Sequence, residues 1–115
     1  MDAWFGFQAV RDLPGLPSEI LMVPLGGHTV GHAGVAIDTG DGWLLHAGDA
    51  FYHGTTIDAE NPRTPLFRQA YSGFNTAARG PYRENQIRLH ELLRDRADAV
   101  TIVNSHDRAL FPAAA

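Results

Sequence analysis

The sequence predicts an α+β domain of mixed strands with helices packed on one face. Three observations carry this reading. Short β-prone or apolar runs recur over residues 4–10, 19–25, 35–39 and 43–47, separated by segments rich in glycine, proline and aspartate. One longer segment, Pro81 to Ala97, has helical periodicity, with Leu89, Leu92, Leu93 and Ala97 on one stripe. A last apolar run, Ala99 to Val103, follows it, so the order is strands, then helices, then a strand.

Trp4 to Val10 is aromatic and β-prone and reads as one strand. Leu13-Pro14-Gly15-Leu16-Pro17 is a turn or loop, because two prolines and a glycine prevent regular pairing. Glu19 to Leu25 is nearly continuous in apolar residues and reads as a buried strand. Gly26 to Gly34 holds four glycines and two histidines, which predicts a loop whose backbone packs closely against a neighbour. Val35 to Thr39 and Trp43 to Ala47 read as a hairpin about Asp41-Gly42. Gly48 to about Arg63 is polar and irregular. Thr64 to Tyr71 reads as a short helix with Pro65 at its first position, and Pro81 likewise suits the first turn of the longer one.

The 115 residues suffice for one small domain with a core, and 44% hydrophobic with 19% charged residues is ordinary for a soluble globular protein. Net charge is −4 and all nine basic residues are arginine, which leaves no basic footprint for nucleic acid. No apolar run approaches the about 18 residues a membrane helix needs. Met1-Asp2-Ala3-Trp4-Phe5 lacks the features of a signal peptide, so the cytoplasm is the expected location. With no cysteine, any metal must be held by histidine, aspartate, glutamate or backbone oxygen.

Three phrases place such groups where a strand gives way to a loop. They are Pro24-Leu25-Gly26-Gly27-His28-Thr29-Val30-Gly31-His32, Leu44-Leu45-His46-Ala47-Gly48-Asp49-Ala50 and Ile102-Val103-Asn104-Ser105-His106-Asp107. Imidazole and carboxylate are the usual ligands of a catalytic zinc or similar ion, and a strand end aims them rigidly. Each residue also has a bland reading. His28 alone would more often be a loop histidine bonded to backbone. His32 reads as a residue bonded to the loop rather than a ligand. His46 reads as a structural strand histidine, and His53 either lines the site or sits exposed. His90, beside Arg94 on the helix, reads as solvated. Asp107 orients a ligand or caps a turn. Glu91 to Asp98 reads as a charged, solvated helix face.

Together the phrases resemble the second half of the metallo-β-lactamase fold hydrolases, nearest to lactonase-like and glyoxalase II-like members. The resemblance spans about Glu19 to Asp107. It implies that His28 is a ligand of one zinc, that Asp49 bridges two zinc ions and that His106 is a ligand of the other; iron or manganese suits the same nitrogen and oxygen donors. It implies that His32 is not a ligand, and that His32 and Asp107 support the ligands. It further implies a metal-bound hydroxide attacking an ester, lactone or thioester-type bond of a small-molecule substrate, with Phe51, Tyr52 and the stretch Gly54 to Tyr71 near that substrate.

The family's first signature, H-x-H-x-D-H, has no counterpart in residues 1–27, which contain no histidine. Residues 1–115 therefore resemble a partial domain, the C-terminal half of an αββα sandwich. Each ion would keep one histidine and a share of Asp49, below the three protein ligands typical of catalytic zinc. Half a sandwich also predicts exposed apolar surface on its sheet. The fragment alone is then expected to be inactive, needing the missing N-terminal half or a homo-oligomer. The alternative is a truncated, non-catalytic domain that folds with a partner half or as an oligomer. A third reading, one iron held by His28, Asp49 and His106 together, conflicts with the family geometry, in which the histidines serve different ions.

Overall fold

The computed structural model describes residues 2–63 and 79–111. It is α+β, with a mixed sheet and one α-helix among the described residues. The helix expected over Thr64 to Tyr71 lies outside the described residues. The central sheet has four strands: β3 (Ile20–Pro24), β4 (Ala33–Asp38), β5 (Trp43–His46) and β6 (Val100–Val103), paired in that order. The first two pairings are antiparallel, and β5 with β6 is parallel. A parallel pair cannot be closed by a tight turn, so the chain returns through a long connection that includes α1 (Arg79–Arg96).

The strand expected over Trp4 to Val10 is instead a hairpin, β1 (Asp2–Trp4) and β2 (Phe7–Ala9). Phe5 and Gly6 both have positive φ, 45° and 86°, as a tight two-residue hairpin turn requires. The β-prone composition says nothing about that reversal, because Phe5 is an unfavourable residue for it. Val10 then pairs with Met22 of β3 through two backbone hydrogen bonds, joining the hairpin to the sheet edge. The other hairpin turns one residue earlier than Asp41-Gly42 suggests: Thr39 to Gly42 form the loop, closed by Thr39 N–H to Gly42 O at 2.9 Å.

Strand alternation puts Leu21, Ala36, Leu45 and Ile102 in one row across all four strands, and all four are buried. Leu89 and Leu92 of α1 complete this core, together with Trp4, Phe7, Phe51 and Ile57. Ala97, expected on the helix's apolar stripe, is exposed, since the helix stops at Arg96. The opposite face carries Ile20, Met22, Val35, Ile37 and Leu44. Met22 and Val35 stand directly opposite each other, 38% and 41% exposed, so this face is apolar and open, as the half-sandwich reading expects. No helix among the described residues is long and apolar enough to cross a membrane.

Candidate metal centre

The register brings three chain crossings to one end of the sheet. Pro24 at the end of β3 lies opposite Ala33 at the start of β4, while β5 and β6 both stop at the pair His46 and Val103. The loops leaving that end carry His28, Asp49 and His106. Their side chains converge on the Asp49 carboxylate from two sides. His28 Nε2 lies 3.5 Å from Oδ2, and His106 Nε2 lies 2.8 Å from Oδ1. Each histidine thus meets its own oxygen. The cluster is open to solvent on one side, with side-chain exposures of 20% for His28, 36% for Asp49 and 40% for His106.

The surroundings fix each of these groups. His32 places Nδ1 2.9 Å from Leu25 O and accepts the Asp49 N–H at Nε2, also at 2.9 Å. It is therefore neutral with its proton on Nδ1, and it holds the backbone of Asp49. Gly48 permits this contact: its φ is +59°, and a Cβ there would stand 2.7 Å from His32 Nε2. His46 accepts the Gly48 N–H at 3.1 Å and has the structural role expected of it. The glycine-rich loop finds its predicted close neighbour in the helix, because a Cβ on Gly27 would lie 2.4 Å from Tyr82 Cα. Asn85 donates to Gly26 O at 2.8 Å and Gln86 to Ala50 O at 3.0 Å, so α1 braces both loops.

Phe51 and Tyr52 part company. Phe51 is fully buried in the core, whereas the Tyr52 hydroxyl lies 3.2 Å from His28 Nδ1 and its ring stacks obliquely on His106 at 4.6 Å. Asp107 accepts the Gly54 N–H at 2.7 Å and the Ala109 N–H at 3.0 Å, capping a 3₁₀ turn at Arg108–Leu110. His53 caps another such turn, Gly54–Ile57, through the Thr55 N–H. His90, expected to be solvated, is half-buried, with Nδ1 2.9 Å from Asp58 O, because the Gly54 to Arg63 segment folds onto the helix. Sequence reasoning passed over Asn104, Asn85 and Gln86. Asn104 had one signal, a polar residue directly ending a strand as apolar as Val100–Val103.

Two curated proteins align with nearly the whole chain. The probable metallo-hydrolase Mb2322c of Mycobacterium bovis and the probable metallo-hydrolase Rv2300c of Mycobacterium tuberculosis are each 39% identical over 110 residues, 96% of this chain. Over that stretch the chain is similar to proteins named probable metallo-hydrolase. It spans about a third (35%) of those relatives' length. No family model and no solved structure matches it.

The donors fit the kind of ion such a name implies in type, though only in part in number. Two imidazole nitrogens and a carboxylate suit zinc, iron or manganese. A carboxylate with a histidine at each oxygen can serve an ion on either side. Among the described residues, however, no three histidine, aspartate or glutamate side chains are grouped to hold one ion. An ion beside Oδ2 is offered His28 and Asp49, and one beside Oδ1 is offered His106 and Asp49. That is two donors each, against the three protein ligands of a usual catalytic zinc.

Proposed function

We propose that this chain is part of a metal-dependent hydrolase of the metallo-β-lactamase superfamily, half of its αββα sandwich, and carries one side of a two-ion centre. The observation behind this is the placement of His28 and His106 on opposite oxygens of Asp49. His28 and His106 would each hold one ion, zinc by preference, and Asp49 would bridge the two. Ions so held supply an activated water and polarise the carbonyl of an ester, lactone or thioester.

The chain's own residues contribute orientation. For His28 to offer Nε2 to an ion, its proton sits on Nδ1 and is donated to the Tyr52 oxygen, which sets the ring's angle. His32 holds Asp49 from behind without competing for the ion, since both of its nitrogens are already used. Tyr52, only 6% exposed, stands between the two histidines and braces both rings. The remaining ligands would come from a second half of the sandwich, which would also cover the open face at Met22 and Val35. The acidic net charge supports a partner other than nucleic acid, and the substrate proposed is a small molecule.

The test is zinc titration of the chain, with hydrolysis assays on lactone and thioester panels. Weak zinc binding that Asp49→Ala abolishes, without hydrolysis, is expected. Activity should return when the chain is co-expressed with the part of a mycobacterial relative that lies outside the match. Absence of zinc binding would sink the metal reading. Binding without restored hydrolysis would favour the second reading, a non-catalytic domain that folds with a partner half or as an oligomer, for which the open face and the two-donor count speak.

A further inference from the structure

We propose that Asn104 is a positioning residue that sets the separation of Asp49 from His106; this rests on the reading that those two side chains hold metal. Asn104 follows β6 and is the one fully buried polar residue among those described. A buried side-chain amide costs free energy unless its hydrogen bonds are made. Here the bonds are made, and they join two loops. Nδ2 donates to Phe51 O at 2.7 Å, two residues beyond Asp49. Oδ1 accepts the His106 N–H at 3.2 Å and the Asp107 N–H at 2.8 Å. One rigid planar group therefore ties the backbone of the Asp49 loop to the backbone of the His106 loop.

Two more bonds run alongside it. Ser105 N–H donates to Gly48 O at 3.0 Å, and the Asp107 carboxylate accepts Gly54 N–H at 2.7 Å. Asn104 adds a third tie between the same two stretches of chain that carry Asp49 and His106. A local turn cap would need only Oδ1. The bond from Nδ2 to Phe51 has no part in capping, and it points to a role between the loops.

Asn104→Asp separates the two roles. Its carboxylate keeps the acceptors for the His106 and Asp107 amides, but sets oxygen against the Phe51 carbonyl. Leu89→Ala is the control, a core truncation in the helix that leaves every hydrogen bond between the two loops in place. Zinc affinity would be measured by competition with a chromophoric chelator, alongside urea unfolding and amide hydrogen exchange. We expect Asn104→Asp to weaken zinc binding by about tenfold or more, the loss usual for groups that orient metal ligands. The Ser105 amide should exchange faster while Ala36 and Leu45 stay protected. Leu89→Ala should lower stability and leave zinc affinity within about twofold. Wild-type zinc affinity in Asn104→Asp, or losses that track urea stability in both variants, would overturn the proposal. If the wild-type chain binds no zinc, the metal reading fails by itself. Exchange at Ser105 then decides the loop-spacing role: acceleration confined to the loops supports it, and unchanged protection refutes it.

Discussion

His32 and Asp49 meet through a backbone hydrogen bond, Asp49 N–H to His32 Nε2 at 2.9 Å, and not through the carboxylate. The carboxylate is left to His28 and His106. Two histidines four residues apart in one loop thus have different tasks. His28 faces the open cluster, and His32 fixes the chain that carries the shared acid. The second histidine of the phrase accordingly uses both ring nitrogens on backbone groups.

His32→Phe should separate these tasks, because an aromatic ring is kept, slightly larger than imidazole, while both hydrogen bonds are lost. The half-buried Asp49 amide would lose its partner, a loss of about 1–3 kcal/mol in unfolding free energy. Zinc affinity should fall about 10–100-fold, since the acid is no longer held in place. Urea unfolding and chelator competition on the same samples measure both. Unchanged zinc affinity with lowered stability would mean that His32 only supports the fold.

Gly27→Ala probes how the His28 loop lies on the helix. The residue has φ +144° and a Cβ would stand 2.4 Å from Tyr82 Cα, so conformation and space both oppose any side chain. Backbone strain and overpacking together suggest a loss on the order of 2–4 kcal/mol. The urea midpoint should fall with the m-value unchanged. Wild-type stability would show that the loop can move off the helix without cost.

Much of the frame was legible because period and punctuation agreed. The apolar runs of β3, β4 and β5, cut by turn residues, and the stripe of Leu89 and Leu92 gave strand, strand, strand and helix in the right places; the alternation that leaves Met22 exposed was not visible in so continuous a run as Glu19 to Leu25. Histidine and aspartate at strand ends marked the cluster, and the structure does bring His28, Asp49 and His106 to one sheet end. Three things were hidden, each set by tertiary contacts. The Phe5-Gly6 reversal defies the usual turn preference and is braced from the helix, where Arg96 lies over the Phe5 ring and Arg88 donates to Gly6 O. The polar look of Gly48 to Arg63 concealed Phe51 and Ile57, both fully buried. His90 and Asn104 have partners 32 and 53 residues away, beyond any local pattern.

The segment held by His90 gives a pH prediction. Glu60 N–H, then Asn61 N–H, bonded to the Asp58 carboxylate keep its pKa below the ordinary aspartate value, with Arg63 and His90 adding favourable charge. A carboxyl depressed in the folded state contributes stability above its unfolded pKa and loses that contribution as pH falls through the folded pKa. Asp58→Asn keeps an acceptor but does not titrate. The wild-type chain should be the more stable at neutral pH, with the difference vanishing in acid below the ordinary aspartate range. A carboxyl carbon NMR titration should place the Asp58 midpoint below that of an unstructured aspartate; an ordinary midpoint would remove the cause.

The open sheet face makes the last prediction. Met22 faces Val35 across β3 and β4, Ile20 faces Ile37, and Ile37 faces Leu44, so the apolar side chains are contiguous. Contiguous exposed apolar surface of this kind marks an interaction site or an aggregation liability. The isolated chain should bind a hydrophobic dye or self-associate. Met22→Glu combined with Val35→Lys would place opposite charges directly across the strands, a pairing that sheets tolerate. Dye fluorescence should then drop to baseline and sedimentation should report a monomer, with the circular dichroism of the fold retained. A wild-type chain that is already monomeric and silent to the dye would show that this face needs no cover, and the half-sandwich reading would lose its main structural support.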